Sequence, residues 1–193
     1  MISAIILAAG QSRRMGQPKM LLPWGNRTVL EQVVATFLKA GVEEIVIVTG
    51  AEQKQVEKAI VGYPVRAAHN SDYATGEMLS SLQCGLRELP AETQASLIGL
   101  GDQPQVRGES IRSICDAYLH RPSELIVPSF QMRRGHPWLI ARTLWEEILA
   151  LRPPKTPRDF LNHHAGDILY INMATSTILA DLDTPEDYRK SRP

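Results

Sequence analysis

A basic, glycine-containing loop, "AAGQSRRMGQPK" at residues 8–19, follows a short apolar run near the start of the chain. Gly10 lets the backbone approach a ligand without a Cβ atom in the way, and Gly16 suits a turn with a positive φ angle. The N–H groups between them can form an anion-binding nest, to which Arg14 and Lys19 add full positive charges. These residue types predict a site for the oxygens of a polyphosphate.

The spacing of this loop matches neither of two common phosphate-binding fingerprints. A P-loop has the pattern G-x-x-x-x-G-K-[ST], whereas here five residues separate Gly10 from Gly16 and Lys19 lies further on. The dinucleotide pattern G-x-G-x-x-G is absent from the loop as well. The alternative is a solvated basic connection, but a loop directly after the first strand lies where α/β sheets bind ligands.

Two acidic segments are candidates for a metal site. In "LIGLGDQP", Asp102 follows a strand-like run, and in "ADLDTPEDY", Asp181 and Asp183 precede a helix start at Thr184. A carboxylate at a strand end beside bound phosphates is well placed to bind Mg²⁺, which offsets charge that builds on a phosphoryl group. As alternatives, Asp102 can form an Asx turn or cap a helix, and the second segment can be a solvated turn.

Residues 69–86, "HNSDYATGEMLSSLQCGL", are predicted to join a short strand to a helix. Gly76 is a candidate for a close approach of the backbone to a ligand. Ser80 and Ser81 place hydroxyl groups early in the helix, near its positive end. The alternative is a plain connection between two elements.

Residues 131–142, "QMRRGHPWLIAR", place Arg133, Arg134 and His136 in a predicted loop between two strands. Two guanidinium groups beside an imidazole are suited to the phosphate or a polar edge of a second substrate. The alternatives are a structural histidine and a hairpin turn with solvated arginines.

Short β-rich apolar runs alternate with helical periodicity along the chain. The strand-like runs are "SAIILAAG", "EEIVIVTG", "VRAAHN", "ASLIGLGDQ", "LIVPSF", "WLIAR", "DILYIN" and "TILADLD". Helices are predicted at about 28–40, 52–61, 75–89, 108–120, 142–151, 157–164 and 185–191. In the first of these, Thr28 and Glu31 have capping-box spacing. The alternation predicts a mainly parallel sheet with helices on both faces.

Composition and charge bound the class of protein. The length of 193 residues predicts a single α/β domain over 1–193. Basic and acidic residues number 21 each, and zero net charge argues against general binding of nucleic acid. No apolar run reaches the roughly 18 residues of a membrane span, and the N-terminus lacks a basic leader. We therefore expect a cytoplasmic protein with no membrane partner.

The segment 7–19 fits the motif L-A-A-G-x-S-x-R-M-G-x-x-K and resembles the signature loop of the MobA-like nucleotidyltransferases. The similarity continues in "NSDYATG", "GDQP", "GHP" and "DTPED", and the branch that these segments resemble most is that of the molybdenum cofactor cytidylyltransferases. The resemblance implies a three-layer, Rossmann-like domain of the nucleotide-diphospho-sugar transferase type.

The resemblance also assigns roles to individual residues. It implies that Arg14 and Lys19 hold the triphosphate and act with Asp102 in catalysis. It implies that Asp102 binds Mg²⁺ together with Asp183, which it favours over Asp181. A further set of residues is implied to contact the substrates: Leu7, Ala8, Ala9, Gly10, Ser12, Gly16, Ser80, Ser81, Gly101 and His136.

Two features favour cytidine over guanosine: Ala9 stands where guanylyl members have glycine, and their G-P-L-x-G segment is absent. The implied reaction transfers CMP from CTP to the terminal phosphate of Mo-molybdopterin, and a molybdenum hydroxylase receives the product. Since the attacking phosphate oxygen is already anionic at neutral pH, no protein nucleophile or general base is required. Alternatives are a GTP-using or other small-phosphate transferase and a non-catalytic protein that delivers nucleotide or cofactor.

Overall fold

The computed structural model describes residues 1–121 and 123–193 and is organised around an eight-stranded sheet. Two short strands, β2 and β3, form a separate hairpin. The strands are β1 (Ile2–Ala8), β2 (Pro23–Trp24), β3 (Arg27–Thr28), β4 (Ile45–Thr49), β5 (Arg66–His69), β6 (Ala95–Leu100), β7 (Leu125–Phe130), β8 (Arg133–Arg134), β9 (Trp138–Ala141) and β10 (Leu169–Asn172).

The strand order across the sheet is β5-β4-β1-β6-β9-β7-β10, with β8 paired to the end of β7. Strand β1 is parallel to β4 and β6, β4 is parallel to β5, and β7 is parallel to β10. Strand β9 lies antiparallel between β6 and β7. The predicted mostly parallel sheet is confirmed, and the loops that follow β1, β4, β5 and β6 share one edge of it.

Helices cover both faces of the sheet because successive side chains of a strand point to opposite sides. Ile6 and Ala8 of β1 share an apolar cluster with α1, α2 and α4, whereas Ile5 and Leu7 share another with α3, α5 and α6. This gives the predicted three layers. The helices are α1 (Val29–Lys39), α2 (Gln53–Ala59), α3 (Glu77–Glu88), α4 (Gly108–His120), α5 (Trp145–Ala150), α6 (Pro157–His163) and α7 (Pro185–Ser191).

Each of the seven helices predicted from periodicity is present within a few residues of its predicted bounds. The capping box at the start of α1 is complete, since the Thr28 hydroxyl accepts from the Glu31 N–H and the Glu31 carboxylate accepts from the Thr28 N–H. Helix α7 begins in the same way at Thr184. No helix in the described part of the chain has the length and apolar character that a bilayer crossing needs.

The strand predicted for "TILADLD" is wrong. Residues Ser176–Leu179 form a 3-10 turn, and 180–183 have no regular structure. Apolar residues nevertheless recur in 177–183 because Ile178 packs against Gly135, whereas Leu182 enters a separate apolar cluster, here called the tail cluster. The tail cluster consists of Met15, Leu22, Trp24, Val29 and Leu182.

Candidate active site

The loop after β1 turns on two residues with positive φ, Ser12 at 50° and Gly16 at 71°. The N–H groups of Met15 and Gly16 both donate to the carbonyl of Ser12, at 3.0 and 3.1 Å. The Ser12 hydroxyl accepts from the N–H of Lys19 at 3.1 Å. The turn expected at Gly16 is present, and Ser12 closes the loop so that the backbone of Lys19 is fixed.

The loop brings two cations to two carboxylates, which together form the charge cluster. The Lys19 Nζ contacts Asp102 Oδ2 and lies 3.3 Å from Asp183 Oδ1, and Arg14 Nη2 lies 3.0 Å from Asp183 Oδ2. The side chains of Lys19 and Asp102 are 13% and 12% exposed, whereas that of Arg14 is 71% exposed. Lys19 is therefore sequestered among carboxylates, while Arg14 is accessible to a ligand.

The tail cluster determines which C-terminal aspartate enters the charge cluster. Leu182 is fully buried there, and its N–H donates to the carbonyl of Asp102 at 3.1 Å. Asp183 then faces Lys19, whereas Asp181 accepts a 2.6 Å hydrogen bond from the Gln103 side chain. The two aspartates that the sequence left as alternatives thus lie on opposite sides of one anchoring leucine.

Charges in this region favour a bound cation. Burial alone lowers the pKa of Lys19, but the Asp102 and Asp183 carboxylates outweigh it and the net pKa is raised. Burial, followed by the charge of Asp102, raises the pKa of Asp181. Because three neighbouring carboxylates face one buried ammonium and the exposed guanidinium of Arg14, a further positive charge here is stabilised.

Four of the residues predicted to contact the substrates lie at the carboxyl end of β1, where Leu7, Ala8 and Ala9 are buried and Gly10 is exposed. A Cβ atom on Gly50 would lie 2.5 Å from the Ala9 carbonyl oxygen, so the end of β4 must be glycine for Ala9 to keep its place. A polar cavity of about 410 Å³ opens beside Gly50. Gly50 was not among the predicted site residues, although a glycine directly after a buried strand was an available signal.

Gly101 holds β6 close to β1. Its N–H donates to the carbonyl of Leu7 at 2.9 Å, and a Cβ atom on Gly101 would lie 2.9 Å from Met20 Sδ and 3.1 Å from the same carbonyl. The absence of a side chain at Gly101 thus lets the end of β6 lie close to β1, and this fixes where Asp102 follows the strand.

Ser80 and Ser81 are tied to the loop that precedes their helix. The Asn70 side-chain amide donates to both hydroxyl oxygens, at 2.8 and 3.0 Å. A Cβ atom on Gly76 would overlap the side chain of Ser80. Gly76 therefore permits a close approach, as expected, but the group that approaches is a serine of the same chain.

A cavity of about 1100 Å³ borders the charge cluster, and we call it the basic cavity. Gln103 and Asp181, which adjoin the charge cluster along the chain, line it. Its cationic side chains are Arg133, Arg134 and Arg158. Asp181 lies close enough to Asp102 and Asp183 for their charges to add to burial in raising its pKa, so the basic cavity and the charge cluster are neighbours.

The family model of the MobA-like NTP transferase domain matches residues 4–168 of the chain. The chain belongs to the MobA-like NTP transferase family. The predicted family is therefore confirmed, and the match includes the loop after β1 and Asp102. It ends before Asp183, so the tail that completes the charge cluster lies outside the matched residues.

Two relatives that align over nearly their whole length carry names for different reactions. The molybdenum cofactor cytidylyltransferase of Escherichia coli (strain K12) is 29% identical over 188 residues, which cover 97% of this chain and 93% of the relative. The nicotine blue oxidoreductase of Paenarthrobacter nicotinovorans is 33% identical over 195 residues, covering 96% and 93%. This MobA-like chain is thus a nucleotidyltransferase by family, related to a molybdenum cofactor enzyme.

The fold is also that of solved nucleotidyltransferases, which confirms the predicted nucleotide-diphospho-sugar transferase type. Rv0371c of Mycobacterium tuberculosis H37Rv, solved in complex with manganese, superposes with a TM-score of 0.79 at 27% identity. The superposition covers 98% of this chain and 96% of Rv0371c. A relative of this MobA-like chain therefore binds a divalent cation.

Arg134 is pre-oriented towards the basic cavity by residues that sequence analysis missed. Its Nε donates to the Tyr170 hydroxyl at 2.9 Å and its Nη1 to Asn162 Oδ1 at 2.8 Å. Arg158, from the first turn of α6, was missed as well. No local pattern marks Tyr170 and Asn162, because they contact Arg134 only once α6 and β10 have packed onto the sheet.

His136 lines the basic cavity as a neutral imidazole. It is half-buried, and its desolvation lowers its pKa from 6.5 to about 4. At neutral pH the ring therefore offers one donor and one acceptor rather than a positive charge. The cations expected beside it, Arg133 and Arg134, supply the charge instead.

We expect His136 to make stability fall as the pH falls. Between pH 6.5 and about 4 the unfolded state binds a proton that the folded state does not, so up to about 3 kcal/mol of stability is lost in this window. In His136→Gln, unfolding by urea should depend less on pH over the same range. His120→Gln, on the exposed end of α4, is the matched control, and an unchanged slope in His136→Gln would contradict the assignment.

Proposed function

We propose that the chain transfers CMP from CTP, with Mg²⁺, to the terminal phosphate of Mo-molybdopterin and releases pyrophosphate. The observation that carries the proposal is the charge cluster on the border of the basic cavity. Transfer between two phosphate-bearing substrates requires a triphosphate site next to a site for a second polyanion. The relationship to the cytidylyltransferase of E. coli supports this choice of substrates.

The donor is assigned to the loop after β1. Arg14 is accessible, and Lys19 would exchange its carboxylate partners for phosphate oxygens when the triphosphate binds. Ala9 contacts Gly50, which lines the polar cavity beside β4, and we assign the base to this region. Ala9 in place of glycine supports cytidine as that base.

The residues present fit a divalent cation. Asp102 and Asp183 offer the carboxylate oxygens that Mg²⁺ prefers, and the Lys19 ammonium already lies between them as a cation would. When bound there, Mg²⁺ would act as a Lewis acid towards phosphate oxygens. The manganese complex of Rv0371c supports a divalent ion of this class.

In the proposed reaction this chain positions reactants and stabilises charge. Arg14 and Lys19 neutralise the charge that develops on the transferred and leaving phosphates, which is worth most in a site closed to water. Arg133, Arg134 and Arg158 hold the acceptor so that its terminal phosphate faces the donor. No side chain needs to accept a proton, because the acceptor oxygen is anionic at neutral pH.

Nucleotide preference is tested by thermal shift with CTP, GTP, ATP and UTP, each with Mg²⁺. CTP should raise the melting temperature most, since a ligand stabilises the folded state in proportion to the logarithm of its concentration over Kd. The shift should be lost in Arg14→Ala and kept in Arg13→Ala, which removes the neighbouring, exposed arginine. A larger shift with GTP would remove cytidine from the proposal.

Transfer itself is tested by pyrophosphate release from CTP in the presence of Mo-molybdopterin. CTP binding without release would favour the delivery protein over the enzyme. The name of the second relative supports a rival of another class, an oxidoreductase. Faster reduction of nicotine blue by an added hydride donor with the protein than without it, together with no pyrophosphate release, would favour that rival.

A further inference from the structure

A cluster of three potential metal ligands lies where α5 and the end of α6 meet. The side chains of Glu147, His163 and His164 each offer one ligand atom, and these atoms all lie within 4.8 Å of one another. Their positions show no metal-ligand spacing in the sequence, because Glu147 is sixteen residues from His163. Only the packing of the two helices brings them together.

Three neighbours orient His164 before any ion binds. The Phe160 ring, one helical turn earlier, lies 4.6 Å from the His164 ring between centroids. On its polar edges, His164 Nε2 lies 2.8 Å from Glu147 Oε2, and Nδ1 lies 3.7 Å from Asp167 Oδ2. In metal-binding histidines one ring nitrogen binds the ion and the other donates to a carboxylate or similar group. Asp167 is placed to take that second role for His164.

The cluster is also open to an entering ion. The Glu147 side chain is 40% exposed and that of His164 15%, and His163 is exposed at the helix end. The His163 and His164 rings are nearly perpendicular, at 87°, with their centroids 5.2 Å apart. Small rotations of two exposed side chains therefore suffice to bring three ligand atoms onto one ion.

We propose that Glu147, His163 and His164 form a zinc site. Two imidazoles and one carboxylate suit tetrahedral Zn²⁺, with water as the fourth ligand. Zn²⁺ would bind His164 Nε2 and Glu147 Oε2 in place of the hydrogen bond that joins these two atoms. The neutral ring would then carry its one proton on Nδ1, beside Asp167. The site is separate from the charge cluster, whose two carboxylates favour Mg²⁺.

The zinc site links α5 to the helix that forms part of the basic cavity. Helix α6 carries Arg158 at its start and Asn162, the partner of Arg134, one residue before His163. An ion that joins the end of α6 to α5 therefore restrains the wall that presents these groups. This role is structural and does not depend on the identity of the substrates.

The test is a Zn²⁺ titration of chelator-treated protein in competition with a chromophoric chelator, with Mg²⁺ in large excess to occupy the charge cluster. One Zn²⁺ should bind per chain. His163→Ala and Glu147→Gln should each weaken binding by at least about 10-fold, whereas His120→Ala, which removes an exposed histidine elsewhere, should leave it unchanged. Equal affinity in wild type and His163→Ala, or no stoichiometric binding by wild type, overturns the proposal.

Thermal melting and Co²⁺ substitution give independent readouts. At about ten times Kd, Zn²⁺ should raise the melting temperature by about 3–6 °C in wild type and not in His163→Ala. Co²⁺ in the site should show the intense visible bands of tetrahedral coordination; octahedral bands alone contradict the ligand set. Both substituted side chains are exposed, so the metal-free variants should melt like wild type, which verifies that they are folded.

Discussion

Asp102→Asn is expected to lower the rate of pyrophosphate release from CTP by about 10³-fold, since it removes one of the two carboxylates assigned to Mg²⁺ and a fixed charge at the reacting phosphates. The fold should persist, because Lys19 keeps its 3.3 Å contact with Asp183 and Asp181 loses a repulsive neighbour. We expect the free energy of unfolding to change by no more than about 1 kcal/mol. Steady-state kinetics and urea unfolding measure the two quantities.

Asp116→Asn is the matched control for this variant, because it removes an exposed aspartate from α4. It should leave both the rate and the stability unchanged. Turnover at the wild-type rate by Asp102→Asn would exclude Asp102 from the reaction. A drop in rate with an equal loss of folded protein would show that Asp102 acts on the fold rather than on chemistry.

The parts of the fold that local physics determines were predictable from the sequence. Strand β1 is buried on both faces and reads as a continuous apolar run, and α1 carries a capping box and an apolar stripe. Strand β8 was not predicted, although a hairpin turn was an alternative for this segment. The turn is formed by Gln131 and Met132 in positive φ, a conformation that these residue types seldom adopt. The types of these two residues therefore give no signal for the turn.

The candidate site was predictable where it follows strand ends and not where it depends on long-range packing. Asp102 and the loop after β1 lie at the same sheet edge because β1 and β6 are parallel neighbours, which the alternation of elements already implied. The contact of Lys19 with Asp183 spans 164 residues. From the residues alone, Asp181 and Asp183 were equal candidates, and the burial of Leu182 in the tail cluster separates them.

The position of Lys19 couples metal binding to nucleotide binding in the proposed reaction. Its ammonium occupies the space between Asp102 and Asp183 where the divalent cation is assigned. The cation and Lys19 therefore compete for the same oxygens until a triphosphate offers Lys19 other partners. Nucleotide and metal should bind cooperatively, because the phosphates draw Lys19 away and release both carboxylates.

Lys19→Met is accordingly expected to move two properties in opposite directions. Pyrophosphate release should fall by about 10²–10³-fold, since a charge at the leaving phosphates is lost. Without nucleotide, Mn²⁺ should bind at least several-fold more tightly than to wild type, because three carboxylates lose their buried counter-ion. Calorimetric titration with Mn²⁺ measures the second effect, and Lys39→Met, at the exposed end of α1, is the control. Weaker Mn²⁺ binding by Lys19→Met would show that the ammonium does not hold the place of the metal.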